Sequence, residues 1–251
     1  MKISLRLWGT RGWLSAPSLQ TVEYGSHTTC LQILGEDVLV GVDAGTGLAR
    51  WGELLAQQAA EVEIHLFLTR FHTDHLEGLP FFLPIYSSST RLYLYAPYPK
   101  AYTQENIERV FTCADPTFAG LDSLPAHIEI VEMREDVQLG GIRIQVGARG
   151  SAPGVPYSFT ALNRIVVASQ GDQLVPFAAH ADLLVLDAAC TEAEKQAGYP
   201  GWDGGTYEQA LVIAQACGAK ELLCTHHGPY RTDKSLSRLE GVTCAKAFYC
   251  N

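Results

Sequence analysis

The stretch Ile64-His65-Leu66-Phe67-Leu68-Thr69-Arg70-Phe71-His72-Thr73-Asp74-His75 decides how this chain folds. Residues 64–69 form a short apolar run that reads as a buried strand. The motif 69–75 begins where that strand ends, and Gly78-Leu79-Pro80 follows it. Three potential metal-binding side chains, His72, Asp74 and His75, fall within four residues. Imidazole nitrogen and carboxylate oxygen are the donors that zinc and similar ions prefer. A regular strand sends neighbours to opposite faces, whereas a loop at a strand end can fold such close residues around one or two ions. Asp74 is also placed to cap a helical segment over residues 75–82.

Outward from the motif, strands alternate with helices. Residues 3–8, 29–34 and 38–42 read as strands, bounded by Gly or charge. Gly45-Thr46-Gly47 breaks the pattern. Residues 48–60 then read as a helix, with Leu48, Trp51, Leu54, Leu55 and Ala59 near helical spacing. Downstream, residues 91–96, 128–132, 142–146, 157–162 and 164–169 read as strands, and 104–111 as a helix. The last third gives a buried strand at 181–187, a helix at 206–216, a strand at 221–225 and an edge strand at 245–249. Two strand-rich halves, each followed by helices, predict an α/β (α+β) protein. Its two sheets pack together with helices outside, a four-layer αββα sandwich in a single domain over 1–251. Periodicity alone does not separate that sandwich from an ordinary α/β fold.

Composition excludes several classes of function. The 251 residues are 47% hydrophobic and 18% charged, as suits a chain with a real core. A net charge of −9 repels phosphate backbones, which argues against nucleic acid and against anionic membranes. A small anionic substrate or ligand in a local basic pocket stays open. No signal peptide is visible and no apolar run reaches membrane-spanning length. The seven cysteines are scattered without a CxxC pair, which suggests reduced thiols and a cytoplasmic location. A homodimer also stays open, although no stretch reads plainly as an interface. Gly9-Thr10-Arg11-Gly12 and residues 43–47 lack the spacing of a nucleotide loop, so their glycines are read as tight turns.

The motif resembles the His-x-His-x-Asp-His signature of the metallo-β-lactamase superfamily. The flanking text resembles one branch, the phosphodiesterase- and ribonuclease Z-like hydrolases. That branch's Gly-Thr-Arg-Gly is matched at residues 9–12, and its Tyr-Gly-Gly-Asn-Thr-Ser-Cys loosely at 24–30. Asp-Ala-Gly-Thr-Gly is matched at 43–47 and Gly-Leu-Pro-Phe-Phe at 78–82. The late strands are matched by Asp187-Ala188-Ala189 and Thr225-His226-His227-Gly228-Pro229. The resemblance covers essentially the whole chain. It implies that His72 belongs to a first metal site, and that Asp74, His75 and His226 belong to a second. It also implies that Asp43 and Asp187 are supporting carboxylates that orient ligands.

The departures from that pattern cluster on the first site. Arg70 stands where the signature has its first histidine, and Gly147-Ala148-Arg149-Gly150-Ser151 holds no mid-chain histidine. Gln170 stands for the bridging aspartate, and Asp203-Gly204-Gly205-Thr206 for a Gly-His-Ser-Thr segment. Arginine is a permanent cation with no lone pair to offer a metal. A coherent charge rearrangement follows, with positive charge at Arg70 and a negative charge lost at Gln170. Without a metal, Arg70 is placed to pair with Asp74. His27 stands where the branch has Asn and is a candidate substitute ligand. Arg149 is a candidate second anion contact. His65, His127, His180 and His227 are read as structural or surface residues.

Two functions follow as expectations. The first is an atypical metal-dependent hydrolase with one zinc or other divalent ion, on Asp74, His75 and His226. Metal binding lowers a water's pKa from ~15.7 toward ~7, which gives a nucleophile at neutral pH. In this reading His72 assists proton transfer, Arg70 stabilises an oxyanion or phosphoryl oxygen, and the substrate is a phosphodiester or other ester. A dinuclear site is disfavoured because its ligands are missing. The alternative is a catalytically inactive protein that binds an anionic ligand or a partner through the Arg70 pocket. A flavodiiron-like redox protein ranks last, since no flavin-binding segment is attached.

Overall fold

The computed structural model describes residues 1–35, 38–57, 61–148, 154–171, 173–198 and 204–247. The first half forms a sheet of β1 (Ser4–Gly9), β2 (Cys30–Leu34), β3 (Leu39–Val42), β4 (Val62–Phe67), β5 (Thr90–Ala96) and β6 (His127–Glu132), in that order. The second half forms a sheet of β7 (Val137–Leu139), β8 (Ile142–Val146), β9 (Tyr157–Thr160), β10 (Arg164–Ala168), β11 (Leu183–Asp187) and β12 (Glu221–Thr225). Strands β3 to β6 of the first sheet and β10 to β12 of the second run parallel, next to the helical connections. The α-helices are α1 (Gly47–Ala56), α2 (Lys100–Ala114), α3 (Leu174–Phe177), α4 (Glu192–Gln196), α5 (Tyr207–Cys217) and α6 (Asp233–Leu236).

The period-2 side-chain alternation of strands assigns every layer. Leu5, Leu7, Leu31, Ile33, Val40, Val42 and Phe67 of the first sheet meet Ile144, Tyr157, Phe159, Ile165, Val167 and Val185 of the second in one inter-sheet core. The intervening positions point outward. Ile64, Leu66, Leu92 and Leu94 bury the inner faces of α1 and α2. Val166, Leu184, Leu186 and Cys224 do the same beneath α5. The result is the αββα sandwich. No helix among the described residues is long and apolar enough to cross a membrane.

Several boundaries differ from those read in the sequence. Helix α2 starts at Lys100, directly after Pro99, where a proline ring is tolerated at a helix entry. The strand expected over 157–162 stops at Thr160, because Ala161 and Asn163 close a turn (2.9 Å). β7 is only three residues long and too short to read from periodicity. Part of the helix expected over 48–60 and part of the edge strand expected over 245–249 lie outside the described residues. Within them, Cys244 makes only an isolated bridge to Cys224.

One histidine sits inside the sandwich. His65 of β4 stacks on Tyr93 (5.0 Å) and bonds the Tyr95 hydroxyl (3.0 Å) and the Glu63 carboxylate (3.2 Å). Burial pushes its pKa down, and Glu63 offsets this only in part. Below the ordinary histidine range, the unfolded chain therefore takes up a proton that the folded one resists. Stability is expected to be insensitive to this group above pH ~6.5 and to decline as the pH falls below it. The slope for one proton is at most about 1.4 kcal/mol per pH unit. Urea denaturation of wild type and His65→Gln between about pH 7.5 and 5.5 checks this: the substitution should flatten the slope, and parallel slopes would refute it.

Candidate metal centre

The parallel strands of both sheets end at one edge, and their C-terminal loops converge there. β4 leads into the motif, β10 into Ser169 and Gln170, β11 ends in Asp187, and β12 leads into His226. Ligand sites in parallel sheets form at this edge, because the loops leaving neighbouring strands can face one another.

After β4 the chain makes a 3-10 turn over Thr73–His75. The turn carries no side-chain cap, and the Asp74 carboxylate is not a helix cap as expected from the sequence. It faces inward, accepts from the Trp13 backbone amide (2.7 Å) and lies 2.9 Å from His226 Nε2. His75 Nε2 stands 3.6 Å from the same carboxylate oxygen. Asp74, His75 and His226 each offer a ligand atom, all within 4.8 Å of one another, and all three are 2% exposed or less.

A supporting layer holds the trio. His75 Nδ1 lies 2.8 Å from Asp43 Oδ2, although the angle is too poor for a good hydrogen bond. Asp43 is fixed in turn by the Thr69 amide (2.8 Å) and hydroxyl (2.9 Å). Both Asp43 and His226 adopt left-handed backbone (φ 60° each), which Asp and His tolerate better than most residues but at some cost. Strain of this kind marks positions that the surrounding structure has to impose. Two close approaches add to that constraint. A Cβ on Gly12 would fall 2.2 Å from His226 Nδ1, and one on Gly45 would fall 2.4 Å from the Asp74 carbonyl oxygen. Trp13 packs edge-on against the His226 ring at 5.1 Å.

Charge is concentrated here. Burial by itself would raise the Asp74 carboxyl, but His75, His226 and the Trp13 amide outweigh it and hold the group well below the usual carboxylate range. The Asp187 carboxyl is likewise held low. There burial is opposed chiefly by Arg70, then by His226, His75 and the Ser169 hydroxyl.

Arg70 does not pair with Asp74, as its position in the sequence suggested. Its guanidinium bonds Asp187, 117 residues away, and is only 2% exposed. Ser169 donates to the same Asp187 oxygen (2.9 Å). Gln170 is also tied down: its side-chain amide donates to the backbone carbonyls of Asp187 (2.7 Å) and Thr206 (3.0 Å). His72 is exposed, just before the turn, and lies outside the three-donor cluster. His27 approaches Thr46 (3.3 Å) and Arg50 (3.4 Å) and is not among the converging donors. Arg149 and Asp203 lie outside the described residues.

Trp13, Thr69 and Ser169 take part in the site but were not singled out in the sequence. Trp13 follows the Gly-Thr-Arg-Gly turn at φ 62°, an unusual conformation for a bulky residue. A tryptophan directly after such a turn was the available signal.

The residues fit one ion. Within the described residues, both nitrogens of His75 and Nδ1 of His226 are buried without a well-formed hydrogen bond. The two His75 nitrogens, each beside a carboxylate, suit a bound cation, whereas His226 Nδ1 lies against Gly12. Among the described residues, Arg70 and Gln170 add no further carboxylate or imidazole donor to the trio.

No protein-family model and no curated protein matches the chain. Solved structures do. The metallo-β-lactamase fold protein YhfI from Bacillus subtilis superposes with a TM-score of 0.71 at 19% identity, covering 99% of this chain and 98% of that one. Human tRNase Z, short form, gives 0.70 at 19% identity, with 99% and 98% covered. A diphosphatase of the PhnP family gives 0.68 at 18% identity, with 100% and 97% covered. The chain has the metallo-β-lactamase fold over its whole length.

Proposed function

We propose that this chain is a metal-dependent hydrolase of the metallo-β-lactamase fold that works with a single divalent ion. The observation that carries the reading is the convergence of Asp74, His75 and His226, with Asp43 behind His75. Three nitrogen and oxygen donors with a free fourth position are the usual catalytic zinc arrangement. Such an ion supplies Lewis-acid activation of water at neutral pH.

The protein's own residues do the rest. Asp43, 2.8 Å from His75 Nδ1, stands behind the ring and favours Nε2 as the ligand atom. The Trp13 amide fixes the Asp74 carboxylate, and Gly12 lets the loop close over the His226 ring. His72, exposed at the turn, is positioned to pass protons to and from solvent. Arg70 offers positive charge to the pocket wall, shared with Asp187. The substrate class in this reading is a small phosphodiester or ester-like anion, since the diphosphatase and tRNase Z that share the fold act on phosphorylated compounds by name. An overall charge of −9 disfavours long polyanions. A reducing, cytoplasmic setting goes with it: the thiols of Cys30, Cys190, Cys217, Cys224 and Cys244 are free and buried.

The burial of the trio favours a second reading, in which the protein is inactive and holds an anionic ligand or partner. In that case the ligand has to compete with Asp187 for Arg70.

One experiment separates them. Protein purified without added metal is assayed for metal content and for hydrolysis of bis(4-nitrophenyl) phosphate. The expected result is one zinc or manganese per chain and turnover that a chelator abolishes and the ion restores. Folded protein with an ion but no turnover on a panel of esters supports the second reading. Folded protein with neither ion nor turnover sinks the first.

A further inference from the structure

The Arg70–Asp187 pair raises a question of charge. Among the described residues, three buried carboxylates, Asp43, Asp74 and Asp187, gather at this end of the sandwich, and the buried Arg70 guanidinium bonds one of them, Asp187. With both imidazoles neutral, the cluster carries two more negative charges than positive. Glu77, nearby, is only half-buried and accepts from the Thr28 hydroxyl (2.9 Å), so water screens it. One divalent ion on the trio brings the cluster to neutrality. A second would leave it strongly positive in a medium where excess charge is costly.

Asp187 is well placed to hold a cation. It lies opposite Thr225 at the end of the β11–β12 ladder, one residue before His226. It belongs to the same end of the sandwich as the trio, because the strand it closes pairs with the strand that leads into His226. Ser169 donates to the oxygen that Arg70 also bonds. That oxygen therefore serves a fixed cation made by the protein itself.

We infer that the Arg70 guanidinium is a built-in cation that fills the second cation position of the pocket, with Asp187 as its seat, and so limits the chain to one divalent ion. This rests on the single-ion reading above. Removing the guanidinium frees the Asp187 carboxylate beside the trio and opens that seat to a second ion.

Zinc binding to the folded protein tests this, read by equilibrium dialysis with elemental analysis and by competition with a chromophoric chelator. Wild type is expected to hold one zinc. Arg70→Ala is expected to hold two, or to bind the first at least tenfold more tightly. Arg70→Lys keeps the charge and should stay at one, and Arg70→Ala/Asp187→Ala loses the seat and should return to one. If Arg70→Ala takes one zinc at wild-type affinity, the inference is overturned while the single-ion reading stands. If wild type takes none and Arg70→Ala does, the single-ion reading fails and the built-in cation is supported. If neither takes zinc, both fail. Should Arg70→Ala not fold, Asp187→Asn decides. It deletes a negative charge but keeps the cation, so it should weaken the one zinc at least tenfold, and unchanged affinity overturns the inference.

Discussion

Asp74→Asn is expected to lower divalent-ion affinity by far more than any other single change in the motif. Asp74 is the hub of the trio, with His226 2.9 Å and His75 3.6 Å from one carboxylate oxygen, and it supplies the anionic ligand of the three. Replacing it with an amide keeps the volume and an acceptor for the Trp13 amide but removes the charge. Substitutions that only disturb the residues behind metal ligands typically cost ~10–100-fold in affinity. Loss of a charged ligand should exceed that range, while Asp43→Asn, which acts on the ion only through His75, should fall within it. His72→Ala should leave affinity at the wild-type level, because His72 is exposed and outside the cluster. Chelator competition on all three variants gives the order. If His72→Ala proves as damaging as Asp74→Asn, the ligand set drawn here is wrong.

That contrast shows what the sequence could say and where it stopped. The strand patterns at residues 3–8, 64–69 and 164–169 are enough to predict an α/β protein, but periodicity by itself does not separate two stacked sheets from an ordinary α/β fold. The motif after β4 locates the site, because a loop at the C-terminal end of a parallel strand is where ligands gather. The sequence does not say how the loop turns. His72, Asp74 and His75 look equivalent as letters, yet the 3-10 turn sends Asp74 and His75 inward and leaves His72 in solvent. Long-range partners were equally hidden. The loss of a ligand at Arg70 is visible in the letters, but its partner is set by how two sheets pack, and no local rule relates residues 70 and 187. Short elements such as β7 and the Trp13 turn lack the length that periodicity needs.

The Arg70–Asp187 pair also makes a strong prediction about the ion-free fold. Both side chains are nearly shut from water, so the ion pair between them offsets part of the cost of burying each charge. Among the described residues, Arg70→Met leaves the buried Asp187 with the Ser169 hydroxyl and the two histidines for compensation. Breaking a buried pair by removing one partner costs roughly 3–5 kcal/mol. The methionine recovers some packing, so the lower half of that range is the expectation. Arg70→Met/Asp187→Leu removes both charges together. Replacing a buried pair with apolar residues of similar volume is often neutral or stabilising, so the double variant should recover most of the loss. Asp187→Leu by itself should be costly, because it removes the carboxylate that the buried guanidinium bonds. The coupling between the two sites, read from urea denaturation with chelator present, should therefore be at least about 2 kcal/mol and favourable to the pair. Additive losses would mean that Arg70 and Asp187 act independently, and the guanidinium would then be a packing residue with no fixed seat. A large coupling is what a covalently attached cation seated on Asp187 requires. In that case the position stays filled at any metal concentration, and its stability no longer depends on metal supply.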